Sequence, residues 1–309
     1  MVVVAFHQGE YVPLEQASIG IMTHAFHYGT AVFEGIRGNW NSDDGRMYIF
    51  RMRDHYQRLQ DGCKIMRIKL PYSVSDLCDI TVEMVERSGF DQDIYIRPIA
   101  YKSEERVAYL NLGGLADGFT VMAVPFGNYI DSDAAAKLCT SSWRRMEDTM
   151  IPPHTKISGL YVNSILAKTE AMAAGFDEAI VLNDKGYVSE GTGENVFLYR
   201  NGRLATPPLV DNVLPGITRE CVMDLAQTEL GIEVEERHIP RSELYLADEI
   251  FLTGTAAHLT PVGSLDNQSI GDGEMGKLTR RLQDMYFEIV RGKNRKYAHW
   301  CTTASPRVA

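Results

Sequence analysis

The sequence predicts an α+β, mixed α/β fold in two domains. Strand-like and helix-like segments alternate along all 309 residues. Hairpin signals occur in both halves, which a doubly wound parallel sheet would not need. A run of turn formers, Gly127-Asn128-Tyr129-Ile130-Asp131-Ser132-Asp133, interrupts the pattern near the middle. The division expected from this is a small α/β domain over residues 1–126, a loop over 127–136 and a large domain over 137–309. A chain of this length can also fill one large α/β domain, so two is the preferred count.

The elements follow in order. Residues 2–6 and 11–14 flank Gly9 and form a hairpin. Residues 54–66 and 75–87 carry helical spacing, the second with Ser75 as N-cap and Gly89 just past its end. Residues 94–101 and 119–124 are strands. In the first of them alternation puts Tyr95, Arg97 and Ile99 on one face, and Pro98 suggests a strand edge or end. Beyond the loop, Val162, Ile165, Leu166, Thr169, Met172 and Ala173 share one face of a helix that Gly175 ends. Glu178–Leu182 is a strand. Residues 195–199 and Arg203–Thr206 close a hairpin at Asn201-Gly202, a strong type I′ signal. Ile217–Leu230 is a helix between Pro215-Gly216 and Gly231; a strand at 248–253 and a helix at 275–290 complete the list.

Composition narrows the function. A net charge of −10 argues against a nucleic-acid footprint, which needs clustered positive charge, yet a few arginines can still dominate one pocket. Cys63, Cys78, Cys139, Cys221 and Cys301 are scattered, odd in number and without a C-x-x-C pair, which suggests reduced thiols in a cytoplasmic setting and no metal site. No apolar run reaches the roughly 20 residues that span a bilayer. The start, Met1-Val2-Val3-Val4-Ala5-Phe6, reads as a first strand and not as an export signal.

The informative stretch runs from Ser189 to Arg219. A helix opening at Pro215-Gly216-Ile217-Thr218 offers backbone N–H groups, the positive end of a dipole and a hydroxyl, a seat for phosphate. Taken alone, a Pro-initiated helix needs no ligand. The longer string is more specific. Glu190, Thr192, Asn195, Val196, Phe197, Leu204, Thr206, Leu214, Gly216, Ile217 and Arg219 fall at the spacings of the class IV aminotransferase signature. Further blocks are His24 to Arg37, Tyr95-Ile96-Arg97-Pro98, Ser141-Ser142-Trp143-Arg144-Arg145, Ile151-Pro152-Pro153-His154-Thr155-Lys156 and Gly254-Thr255-Ala256-Ala257. With them nearly the whole chain resembles the fold-type-IV pyridoxal-phosphate enzymes, the D-amino-acid-aminotransferase-like fold, and the bacterial branched-chain aminotransferases in particular.

That resemblance implies a two-domain enzyme that uses pyridoxal 5'-phosphate to move amino groups between leucine, isoleucine or valine and 2-oxoglutarate. It makes Lys156 the catalytic lysine that bonds the cofactor aldehyde and shuttles the Cα proton. Glu190 faces the pyridine nitrogen and Tyr161 the phenolic oxygen; Arg58, Ile217, Thr218 and Thr255 hold the phosphate. Phe33, Tyr129 and Tyr161 form apolar walls. Tyr95, Arg97 and Arg37 belong to the substrate side, Thr255 and Ala256 offer backbone donors to the α-carboxylate, and Tyr28 reaches in from a partner subunit, so a homodimer or higher homo-oligomer is implied. Residues 102–111, with Glu104, Glu105, Arg106 and Tyr109, depart from the usual family loop and bear on substrate range. Rival readings are a D-amino-acid or (R)-amine transaminase, an aminodeoxychorismate lyase, or a non-catalytic binding protein that keeps the fold.

Overall fold

The computed structural model describes residues 3–127 and 134–306. Two compact units divide the chain, the first comprising 1–127, 155–159 and 287–309, the second 128–154 and 160–286. Tyr129 lies outside the described residues.

Unit 1 contains β1 (Val4–His7), β2 (Glu10–Pro13), α1 (His24–Tyr28), β3 (Ala31–Phe33), β4 (Ile36–Asn41), β5 (Arg46–Phe50), α2 (Met52–Ile65), α3 (Val74–Ser88), β6 (Ile94–Lys102), β7 (Asp117–Pro125) and a C-terminal strand, Cys301–Ala304. The sheet runs C-terminal strand, β5, β4, β6, β7, β1, β2, with β3 also pairing β6. Its described pairings are antiparallel. The two long helices bury Tyr56, Leu59, Leu77 and Met84. Each such side chain contributes about 1.5–3 kcal/mol. The N-cap of α3 is Ser73 and not Ser75: Ser73 Oγ accepts from the Asp76 N–H while Asp76 accepts from the Ser73 N–H, a complete capping box. Gly89 ends that helix in the left-handed conformation, as expected.

Pro98 is not at an edge. It lies mid-strand in β6, opposite Val121 of β7. On its other side β4 pairs β6 only up to Ile96, and β3 takes over from Ile99. The Pro98 carbonyl faces that junction and accepts from the Glu34 N–H at 3.0 Å. The missing proline donor therefore falls at the break between two neighbouring strands, where no ladder bond is lost.

Unit 2 contains β8 (Ala136–Arg144), α4 (Tyr161–Ala173), β9 (Glu178–Leu182), β10 (Val188–Glu190), β11 (Asn195–Arg200), β12 (Arg203–Thr206), α5 (Ile217–Leu230), β13 (Val234–Glu236), α6 (Arg241–Leu244), β14 (Glu249–Gly254), β15 (His258–Leu265) and β16 (Gln268–Ser269). Its sheet runs β10, β9, β8, β15, β14, β11, β12, β13, with β16 on β15. Parallel pairs β8/β9, β8/β15 and β12/β13 mix with antiparallel ones. Leu138, Ile180, Val196, Leu198, Leu252 and Val262 fill its core. Asn201 and Gly202 both have positive φ, 51° and 79°, as a type I′ turn requires.

The C-terminal segment belongs with unit 1, whereas the sequence suggested one uninterrupted domain from 137 to 309. The cause is pairing: Cys301 to Ala304 extend the first sheet along β5. The apolar face of α4 also differs from an ordinary amphipathic helix. Val162, Ile165 and Met172 are 58%, 60% and 63% exposed, while the small residues Ser164, Ala167 and Ala171 face inward. No helix of the described residues is long and apolar enough to cross a membrane, and none of their His, Cys, Asp and Glu clusters could hold a metal ion.

Candidate active site

In unit 1 the segment carrying Lys156 is sewn onto β3 by its backbone. The Phe33 N–H donates to the Lys156 carbonyl at 3.0 Å, Val32 bridges to Ile157, and the Gly159 N–H donates to the Gly29 carbonyl at 3.2 Å. Gly29 has φ 64°, and a Cβ there would sit 2.8 Å from the Gly159 Cα, so this crossing demands glycine. The result places Lys156 Nζ 5.7 Å from the centroid of the Phe33 ring.

The same ring meets Arg97, whose guanidinium carbon lies 4.5 Å from its centroid. Arg97 also donates to the Tyr95 hydroxyl at 3.2 Å, so the face predicted from alternation in β6 is the one that gathers these groups. Arg97 Nε is buried and has no hydrogen-bond partner among the described residues. A donor left so costs about 1–3 kcal/mol unless a ligand carboxylate supplies the acceptor. Arg37, opposite Tyr95 in the β4/β6 register, is buried and donates to the Phe126 carbonyl at 3.1 Å, with Asp93 3.8 Å away. The Tyr28 hydroxyl accepts the Ala108 N–H at 2.8 Å, and His24 meets the Tyr109 carbonyl at 2.8 Å, so α1 latches the unusual 102–111 loop.

Arg58, on α2, forms a two-bonded pair with Glu34 at 2.6 and 2.8 Å, and His55 one turn earlier adds a third contact at 2.8 Å. Burial works against the Glu34 charge, but the Arg58 guanidinium and the bonds from Arg58 and His55 overcome it and hold the carboxyl well below the usual range. Burial likewise pushes the His55 imidazole down.

Unit 2 gathers the other predicted residues. Glu190 ends β10, 5% exposed. Its Oε1 pairs with Arg145 at 2.6 Å, and its Oε2 accepts from Asn195 Nδ2 at 3.1 Å and from the Leu214 N–H at 3.0 Å. Asn195 also donates to the Leu214 carbonyl at 3.0 Å. The carboxylate and the opening of α5 are thus one hydrogen-bonded body. A Cβ on Gly216 would fall 1.8 Å from Asn195 Oδ1, which explains the glycine. No side chain caps α5 among the described residues, and its first backbone N–H groups, at Ile217 and Thr218, have no acceptor within the helix. Tyr161 opens α4, and Thr255 and Ala256 occupy the turn after β14, all three partly exposed. Other signature residues act in the fold: Arg219 ties α5 to Pro207 at 3.1 Å and Glu236 at 2.6 Å, and Thr206 donates to the Val196 carbonyl at 2.8 Å.

Glu194 is buried, and desolvation, reinforced by the nearby Glu178 charge, pushes its carboxyl up to about 8. Arg145, Glu34 and His55 were given no role from sequence, and Asn195 entered only as a signature position. One signal was present: a glutamate between Phe33 and Gly35, in an apolar strand context, must find a cation if it is buried.

Each unit by itself carries groups whose chemistry suits pyridoxal phosphate: an amine at Lys156 in unit 1, and in unit 2 a carboxylate at Glu190 with its own counter-ion and a helix start without a side-chain cap. Residues 31–265 match the family model for class IV amino-transferases. A probable branched-chain-amino-acid aminotransferase of Aquifex aeolicus is 48% identical over 96% of both chains. Among solved structures, the branched-chain aminotransferase of Thermoproteus uzoniensis with norvaline superposes with a TM-score of 0.93 at 42% identity, covering 98% of this chain and 99% of that one. The T.th. branched-chain amino acid aminotransferase complexed with N-(5'-phosphopyridoxyl)-L-glutamate gives 0.90 at 38% identity, covering 97% and 98%. The chain belongs to the class IV aminotransferases and, within them, to the branched-chain-amino-acid aminotransferases.

Proposed function

We propose that this enzyme transfers amino groups between branched-chain L-amino acids and 2-oxoglutarate by a ping-pong cycle of pyridoxal and pyridoxamine phosphate. The observation that carries the reading is the Phe33 ring, with Lys156 Nζ 5.7 Å from its centroid and the Arg97 guanidinium 4.5 Å from it. An amine, an apolar wall and a carboxylate receptor are together in one unit.

Bound pyridoxal phosphate supplies the electron sink for breaking the Cα–H bond. Lys156 would hold the cofactor aldehyde through Nζ and would carry the proton taken from the substrate Cα. Glu190, fixed by Arg145 and Asn195, would accept a hydrogen bond from the pyridine nitrogen and keep it protonated, and Tyr161 would donate to the phenolic oxygen. Arg58, Ile217, Thr218 and Thr255 hold the phosphate. Phe33, with Tyr129, walls the apolar substrate arm, while Arg97, Tyr95 and Arg37 serve the acidic arm and Thr255 and Ala256 the α-carboxylate. The relatives support both arms, one holding norvaline and another a glutamate adduct.

A homodimer, with Tyr28 serving the partner, is supported by the exposed α4 stripe and by exposed Ile21, Met22 and Phe26. A cytoplasmic setting is supported by five cysteines that form no disulfide among the described residues. The test is a substrate panel: L-leucine with 2-oxoglutarate turns over and bleaches the visible absorbance of the holoenzyme. Rapid turnover of D-alanine or (R)-1-phenylethylamine with L-leucine inert refutes the reading. Arg97→Ala is expected to impair 2-oxoglutarate at least about tenfold more than 2-oxoisocaproate, since only the former brings a second carboxylate. Equal losses remove that role.

A further inference from the structure

We infer that Glu34 is the positioning residue of the phosphate site, holding the Arg58 guanidinium in one fixed plane before any anion arrives. The inference rests on the proposed role of Arg58 as a phosphate ligand. Glu34 is 1% exposed, and its two oxygens receive Arg58 Nε at 2.6 Å and the Arg58 terminal nitrogen at 2.8 Å. Two parallel bonds of this kind fix the fork in orientation as well as in place. His55, also 1% exposed, approaches the same carboxylate through Nδ1 at 2.8 Å, so Glu34 cannot follow Arg58 if that side chain swings.

The backbone supports the carboxylate in turn. Glu34 sits at the junction of β3 and β4, its N–H held by the Pro98 carbonyl at 3.0 Å. Arg58 retains 11% of its side-chain surface, whereas the Glu34 side chain is sealed at 1%. Solvent therefore reaches the Arg58 side chain and not the carboxylate that aims it. The rotamer entropy of a long arginine is lost when the unit folds and not when a ligand binds. In this arrangement Glu34 acts through Arg58.

The test compares dissociation constants of the full-length apo-protein for pyridoxal phosphate and for pyridoxal, which lacks the phosphate, by absorbance titration. Arg58→Ala is expected to weaken pyridoxal phosphate far more than pyridoxal. Glu34→Gln keeps shape and loses charge, and is expected to weaken pyridoxal phosphate about tenfold to a hundredfold, the range in which outer partners tune a bound ionic group, with pyridoxal unchanged. If Arg58→Ala erases the discrimination and Glu34→Gln leaves it intact, the phosphate role stands and the positioning role is overturned. If Arg58→Ala itself leaves the discrimination intact, the underlying reading fails instead. A second measurement needs no Glu34 variant: in ¹⁵N-arginine-labelled apo-protein, with Arg58→Lys for assignment, the two terminal Arg58 nitrogens are expected as separate, slowly exchanging signals. A single averaged signal before cofactor is added overturns the inference.

Discussion

Replacing Arg145 by methionine isolates the cost of its buried ion pair with Glu190. Both side chains are 6% exposed, and their contact is 2.6 Å. Removing one partner of such a pair leaves an uncompensated buried charge and costs about 3–5 kcal/mol. Glu190 keeps neutral donors from Asn195 and Leu214 at 3.1 and 3.0 Å, which places the loss near the lower end. At about 2–4 °C per kcal/mol for a unit of this size, the thermal midpoint of the apo-protein falls by about 6–12 °C. The double variant Arg145→Met with Glu190→Gln removes both charges and recovers at least half of that fall, because a buried pair replaced together is often near neutral. Differential scanning calorimetry of wild type and the three variants gives the coupling. A single-variant shift below about 2 °C, or a double variant no better than Arg145→Met, refutes the account.

Three other outcomes follow from the same geometry. Lys156→Ala is expected to lower turnover by at least about 10²–10⁴, and borohydride treatment, which fixes cofactor covalently to the native protein, is expected to leave none on the variant by mass spectrometry; covalent cofactor elsewhere refutes the assignment. Glu194, its carboxyl pushed up to about 8 by burial and the Glu178 charge, binds a proton in the folded chain that the unfolded chain releases above its ordinary carboxylate range. Its contribution to stability is therefore full in acid and is lost as pH rises toward about 8. Glu194→Gln is expected to match wild type in midpoint near the acid end of that window and to exceed it increasingly towards the alkaline end; a pH-independent difference sinks the reading. Ile165→Lys, on the α4 face that is 60% exposed at that residue, is expected to shift the sedimenting species toward monomer, and an unaltered mass would show that this stripe is not the self-association surface.

Local chemistry made much of the fold legible. Asn201-Gly202 announced a turn whose two positive φ values only such residues adopt readily, and the spacing between Gly216 and Gly231 gave the helix Ile217–Leu230 as observed. The misreadings arose where distant partners decide. Pro98 looked like an edge residue because nothing local reveals a neighbour that changes from β4 to β3 at that position. Ser75 and Ser73 are both credible caps, and only the reciprocal bond with Asp76 selects the latter. The C-terminal strand joins residues some 250 positions earlier in the chain, beyond the reach of any periodicity. The surrounding motif draws attention to Lys156 and Glu190, but nothing in it points to the ion-pair partners Arg145, for Glu190, and Glu34, for Arg58, since burial and ion pairing are properties of the folded molecule.

The backbone stitching of residues 155–159 to 29–33 bears on how this enzyme can be recombined. Register there depends on main-chain bonds and on two glycines crossing face to face, Gly29 and Gly159. Side chains along either ribbon can drift without moving the root of the lysine, but the ribbons themselves are a matched set. A chimera that exchanges one ribbon and keeps a bulkier residue at the other crossing point would displace Lys156 while leaving its side chain in the sequence, so both segments are best inherited from a single parent.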